Sequence, residues 1–317
     1  MRQSLLVLLS RSVDYAGMFP PAALSFGQAV DRYLAALAGS ERFLLARFVC
    51  PAGSLGGVEA LRPSPGAPPT VVAVLGPTGD RLEELRERTL QVGQAMQPWL
   101  GGGALAIDQY EVALPRSVVE GGADAVAEAA RAVSESLQTP RRLLVALEVP
   151  LAGSPPALVG QAVEGIAKAN QQSPITPVCL KLRCGGNTAA AVPSPAELAH
   201  ALIAARDNGV LVKATQGLHH AFRHWDAQLG TAAHGFVNLF AAAAFARSHR
   251  LDPVGVAEIL AEEDPRAFSW SDAGLAWRAQ AVSLAGLAEA RRFGVTSFGS
   301  CSVDEPLAEL RSHGLLD

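Results

Sequence analysis

The stretch SPAELAHALIAARDNGVLVKATQG, Ser194 to Gly217, decides the fold. Ser194-Pro195 ahead of a periodic apolar run is a helix start, and Gly209 just past that run is a stop. Three aliphatic residues, Val210 to Val212, follow at once and predict a strand over 209–216. A helix feeding directly into a short apolar strand is half of a β-α-β unit, which calls for a parallel sheet covered by helices. The strand also carries Lys213. An amine at the end of an apolar run is costly to desolvate unless something compensates it.

The same rhythm recurs along the chain. Strands are predicted at 4–12, 42–50, 70–76, 104–114, 141–150, 177–184, 209–216 and 294–301. Amphipathic helical patterns lie between them, at 25–39, 80–97, 122–137, 157–171 and 194–209. The connection PAGSLGGVEALRPSPGAPP between the second and third strands has room for a short helix at most. Eight such strands favour closure into a single (β/α)8 barrel of the TIM type. No GxGxxG follows an early strand, which weakens the alternative of an open dinucleotide-binding sheet. One domain over 1–317 is expected, with a helical insert over 221–293, between strands seven and eight, containing the very apolar GFVNLFAAAAFA.

Composition fits a densely packed enzyme. Only 18% of residues are charged, 49% are hydrophobic and the net charge is -4, so no basic surface invites nucleic acid. Alanine, glycine and proline richness points to a GC-rich bacterial gene. Leu5 to Leu9 is too short an apolar core for a signal peptide, and no run is long enough to span a membrane. The four cysteines, Cys50, Cys179, Cys184 and Cys301, are scattered without CxxC spacing and read as reduced thiols in a cytoplasm.

In such a barrel, function sits at the carboxyl ends of the strands. Strand one ends in Asp14 and Tyr15, strand two offers Arg47, strand four Glu111 and strand five Glu148. Strand six offers Lys181 and Arg183; strand seven offers Lys213, Thr215, Gly217, His219 and His220; strand eight offers Ser297, Gly299 and Ser300. Alternation puts Lys181 with Arg183, and Lys213 with Thr215, on the inward face opposite apolar partners. Two amines from neighbouring strands would then meet, and deprotonating one of them would relieve the repulsion. For Arg47 and Glu111 a structural ion pair is an equal reading, and Asp14 also suits a turn cap.

A neutral lysine is a nucleophile toward carbonyls. CLKLRCGG and GVLVKATQGL place Lys181 and Lys213 32 residues apart. This layout resembles the class I, Schiff-base aldolases of the deoxyribose-phosphate aldolase type, over about 45 residues and the order of barrel elements. There a strand-six lysine forms the Schiff base, and a strand-seven lysine in a GVKPAGG-like segment perturbs it. The resemblance implies Lys181 as the covalent residue and Lys213 as its tuner, with Lys213 as the Schiff-base residue the open alternative; the family's relay aspartate has no counterpart here, and Glu148 or Asp14 would serve instead. The KTSTG of that family is replaced here by KLRCGG, which leaves the substrate open.

The turns TQGLHH and SFGSCS, rich in Gly, Ser and Thr, let backbone N–H groups approach an anion. Lys213, Arg183 and Arg47 are further anion partners. A small anionic, phosphorylated or carboxylated carbonyl or sugar-like substrate follows as the expectation, with no cofactor, no nucleic acid, no membrane and room for a homo-oligomer. Rival readings are a cofactor-independent isomerase, a scaffold barrel without chemistry, and a metal-dependent hydrolase or lyase using His220 and His224. On a helix those two histidines, four apart, would share a face, with Asp226, His234, Glu148 or Cys184 as further ligands. His219 and His220 alone suit acid-base work. Cys301 is expected to be a buried, inert thiol, with no base assignable to it.

Overall fold

In the computed structural model, which describes residues 1–40, 42–139, 143–172 and 176–316, the opening stretch is helix Pro195–Asp207 followed by strand Val212–Thr215. Ser194 caps the helix: its Oγ accepts from the Glu197 backbone N–H at 3.2 Å, and the Glu197 carboxylate accepts from the Ser194 N–H at 2.6 Å. This reciprocal pairing satisfies two amides that the helix leaves unpaired.

Eight parallel strands close into a barrel in sequence order. They are β1 (Val13–Tyr15), β2 (Leu45–Pro51), β3 (Thr70–Leu75), β4 (Leu105–Ala113), β5 (Leu144–Val149), β6 (Val178–Arg183), β7 (Val212–Thr215) and β8 (Val295–Ser300). Closure comes from β8 pairing with β1, Val13 opposite Phe298 and Asp14 opposite Gly299. The fold is therefore a (β/α)8 barrel. Helices Phe26–Ala38, Leu82–Met96, Gly122–Ser136, Pro156–Gln172 and Pro195–Asp207 cover it where helical periodicity predicts them.

The first strand departs from expectation. The apolar run SLLVLLSRS predicts a strand over 4–12, but Gln3–Leu9 is a helix and β1 is the three residues Val-Asp-Tyr after it. Leu5, Leu8 and Leu9 are buried, the i, i+3, i+4 stripe of a helix. A short apolar run satisfies both periods, and here the helical one wins.

The insert between β7 and β8 is not wholly helical. Strands His224–Asp226 and Thr231–Ala233 form a hairpin, and Phe268–Trp270, Gly274–Trp277 and Gln280–Ser283 form an antiparallel meander. Helices Phe236–Ser248, Pro253–Ala261 and Leu284–Phe293 make up the rest. Phe236–Ser248 is buried on nearly every side, as a helix apolar all round must be. Its one polar core residue, Asn238, is fully used. Nδ2 donates to the carbonyls of Ile259 at 2.9 Å and Glu262 at 2.8 Å, and Oδ1 accepts from the Arg223 N–H at 2.9 Å.

Strand alternation separates two interiors. Phe48, Tyr15 and Phe298 face outward, where Tyr15 and Phe48 pack with Tyr33 of the first covering helix and Phe298 stacks on Phe236. Their neighbours Arg47, Asp14 and Ser297 face inward. The barrel lumen is thus the polar interior, and the layer beneath the helices is the apolar one. All four cysteines are free and buried, and no helix among the described residues is long and apolar enough to cross a membrane.

Candidate active site

Eight charged side chains link into one alternating chain across the lumen. Arg47 of β2 donates to Asp108 through Nε at 2.6 Å and Nη2 at 3.0 Å, and reaches Asp14 of β1 at 3.4 Å. Asp14 and Glu111 of β4 both accept from the Lys213 ammonium. The other Glu111 oxygen lies 3.0 Å from Lys181 Nζ, which is also 3.0 Å from Glu148. Arg183 closes the series, donating to Glu148 at 2.6 Å and 2.9 Å and to Gln216 Oε1 at 2.9 Å. Cation and anion alternate throughout, so four positive and four negative groups balance.

Strand register explains why these groups meet. Lys181 stands opposite Lys213 across β6 and β7, and Glu148 stands opposite Lys181 across β5 and β6. Ser297 of β8 donates to Asp14 at 2.6 Å, and Gln109 of β4 donates to Glu111 at 2.8 Å. Gln109 Oε1 is a buried acceptor without a partner. Side-chain exposure falls from 47% at Arg183 through 12% at Glu148 and 5% at Lys181 to 1% at Lys213. Exposure is thus greatest at the Arg183 end, and of the two amines Lys181 lies nearer to it.

The two amines do meet, but the expected relief of their repulsion is different. Rather than one losing its proton, Glu111 stands between them with an oxygen for each. Burial would push the Glu111 carboxyl up, yet Lys213 and Lys181 hold it down at about 2. Burial likewise opposes ionisation of Glu148 and Lys181. Lys181 and Arg183 nevertheless keep Glu148 below the usual carboxylate range, and Glu111 and Glu148 keep Lys181 above the usual amine value. The resting amine of Lys181 is an ammonium.

Other expected residues lie elsewhere. Tyr15 is buried outside the lumen and its hydroxyl has no partner. Thr215 and Gly299 adjoin each other at the lumen's end, with Thr215 Oγ1 3.2 Å from where a Gly299 Cβ would stand. Ser300 Oγ is used in its own turn, donating to the Ser302 carbonyl at 2.6 Å. Gly217, at φ +71°, touches Gly185 backbone to backbone, so a Cβ on either would sit 2.6 Å from the other's Cα. This contact couples the turns after β6 and β7.

The histidines are dispersed, and the segment holding His220 and His224 is extended rather than helical. Their rings still touch, 3.8 Å between centroids. His220 Nδ1 is 3.1 Å from Glu309, and His224 Nδ1 is 3.2 Å from the Phe222 carbonyl. His234, offered above as a further ligand, is instead buried between the Pro193 carbonyl and Arg223, and burial lowers its pKa to about 4. His219 pairs with Glu305 at 3.2 Å and lies beside Cys301, so the thiol does have a neighbouring imidazole.

Sequence reasoning missed Asp108, Gln109 and Glu305. The signal for the first two is plain in hindsight: AIDQYEV carries polar groups inside an apolar strand, the criterion that singled out Glu111. Glu305 lies on the final helix, beyond the last strand. Comparison of the chain with family models and with curated proteins gives no match. The (β/α)8 barrel is a fold that commonly carries enzymes.

Proposed function

We propose that the protein is a lyase that breaks or forms a carbon–carbon bond in a small anionic carbonyl compound through a Schiff base on Lys181. The observation that carries this reading is the register-matched pair Lys181 and Lys213 on opposite oxygens of Glu111, with Lys181 nearer the accessible end. A structural ion-pair network can also share a carboxylate, but it has no need of two register-matched amines inside the lumen. A site that must hold a lysine and a proton acceptor together does.

The chemistry starts from an ammonium and must first remove its proton. An incoming carboxylate or phosphate competes for the half-exposed Arg183, which now holds Glu148. Glu148 without its guanidinium becomes a better base and takes the Lys181 proton across 3.0 Å. The uncharged Nζ attacks the carbonyl carbon, one N–H proton passing to the carbonyl oxygen. Glu148 returns its proton to that oxygen, which leaves as water, and a protonated imine remains.

Glu148, ionised again, removes the proton of the β-hydroxyl group. The adjacent carbon–carbon bond then breaks, and its electron pair passes to the imine nitrogen as an enamine while the hydroxyl carbon departs as an aldehyde. Proton return to the enamine carbon, followed by hydrolysis, frees Lys181. Lys213 donates to Asp14 and Glu111 and helps hold the Glu111 carboxyl ionised beside the iminium.

The ionised resting state of Lys181 favours one second reading: an isomerase in which the two ammonium groups stabilise an enolate without covalent bonding. Borohydride reduction in the presence of short hydroxy-aldehydes and their phosphates, read by intact mass, separates the two. The lyase gives an irreversible adduct that is absent from Lys181→Ala; the isomerase gives none.

A further inference from the structure

Cys301, His219 and Glu305 come together at the end of the barrel where β7 and β8 finish. Cys301 follows β8 directly, His219 lies four residues past β7, and Glu305 is in the first turn of helix Asp304–Ser312. Their Sγ, ring nitrogen and carboxylate oxygen all lie within 4.8 Å of one another, the single such group among the described residues. We propose that these three side chains form a binding site for a divalent transition-metal ion of the zinc class.

Tetrahedral zinc with one sulfur, one nitrogen and one oxygen ligand needs donor atoms about 3.4–3.6 Å apart, from bonds of about 2.0–2.3 Å. The His219–Glu305 separation of 3.2 Å is a little shorter than that spacing, and the Cys301 Sγ lies within 4.8 Å of both donor atoms, so binding would call for small side-chain adjustments. The donor set selects the ion. Thiolate and imidazole suit zinc, cobalt and their neighbours, whereas calcium and magnesium take oxygen alone.

The supports of the site are fixed on both sides. Ser302 Oγ accepts from the backbone N–H groups of Asp304 and Glu305, each at 3.1 Å, and so sets the start of the helix that carries Glu305. One helical turn further on, Glu309 accepts from the Ala221 N–H at 3.1 Å and pairs with His220, anchoring the loop that presents His219. Cys301 is 8% exposed while the His219 and Glu305 side chains are 41% and 49% exposed, so an ion has a route in from solvent, which would supply a fourth ligand. Three protein ligands with an open fourth position are the pattern of a site that also takes water or a substrate oxygen.

The test is titration of chelator-stripped full-length protein with zinc by calorimetry and with cobalt(II) by absorbance. One ion per chain at micromolar affinity, with a near-ultraviolet thiolate-to-cobalt charge-transfer band, is the expected result. Cys301→Ser abolishes that band, and His219→Ala and Glu305→Gln each weaken binding by at least roughly tenfold. Absence of stoichiometric binding to the wild-type protein overturns the proposal without recourse to any variant. So does a charge-transfer band that survives in Cys301→Ser, which would put the metal on Cys50, Cys179 or Cys184, or affinity unchanged in both other variants.

Discussion

Replacing Glu111 by glutamine tests the ion-pair chain at its centre. The substitution keeps the shape and removes the one charge that Lys181 and Lys213 share. The carboxyl is held at about 2 against an ordinary 4.5, and each unit is worth about 1.4 kcal/mol, so its ionised form contributes about 3 kcal/mol at neutral pH. Removing one partner of a buried pair costs about 3–5 kcal/mol because the other charge is left uncompensated. Here each lysine keeps a second carboxylate, Glu148 for Lys181 and Asp14 for Lys213, so the lower part of that range, about 3 kcal/mol, is expected at pH 7. The sign of the pH dependence follows. Glu111 contributes only while ionised, because its folded-state pKa lies below its unfolded value. The deficit of the variant is therefore full at pH 7 and shrinks as pH falls from about 4.5 toward 2. Equilibrium urea denaturation followed by tryptophan fluorescence measures it, with Glu111→Gln/Lys213→Met as the partner variant expected to recover part of the loss. A deficit below about 1 kcal/mol at pH 7, or one that does not shrink below about pH 4.5, would refute the linkage of the two amines through Glu111.

Three further outcomes follow from particular contacts. Stability falls in two stages on acidification: His234, depressed to about 4, withdraws its contribution as pH drops from about 6.5 toward 4, and Glu111 does so from about 4.5 toward 2. Denaturation midpoints across pH 7 to 3 record both, and His234→Gln flattens the first. Gly217→Ala forces a side chain onto a positive φ and into the Gly185 backbone, and a cost of about 2–3 kcal/mol with loosened turns is expected from thermal denaturation and hydrogen exchange. Arg183→Met frees Glu148 and removes the anion partner, so borohydride trapping of a phosphorylated aldehyde falls severalfold relative to that of its neutral analogue; equal trapping of both would dismiss Arg183 as the anion contact.

Much of this architecture was readable in the residues, for a physical reason. Seven strands lie where apolar runs bounded by Gly, Pro or polar residues predict them, because a strand buried under helices must be apolar for several residues in succession. The first strand is the exception: helix Gln3–Leu9 is apolar enough to mimic one, while β1 is only Val-Asp-Tyr with its middle residue charged. The lumen-facing set followed from alternation alone, which pointed Lys181, Lys213 and Arg183 the right way. Alternation says nothing about distance across the barrel, so neither the sharing of Glu111 nor the reach of Arg47 to Asp108 was visible. Tyr15 illustrates the converse. Adjacent to Asp14 in sequence, it necessarily points to the opposite face, against Tyr33 and Phe48. The Cys301, His219 and Glu305 cluster joins residues 82 and 4 positions apart, a closeness that only barrel closure creates.

The most direct measurement is the location of a trapped carbon skeleton on the chain. Borohydride reduction with a reactive hydroxy-aldehyde, proteolysis and peptide mass mapping should place the added mass on the peptide containing Lys181, with Lys213 unmodified and Lys181→Ala unlabelled. Label on Lys213 alone, or none with any carbonyl compound although the fold is intact, contradicts the account.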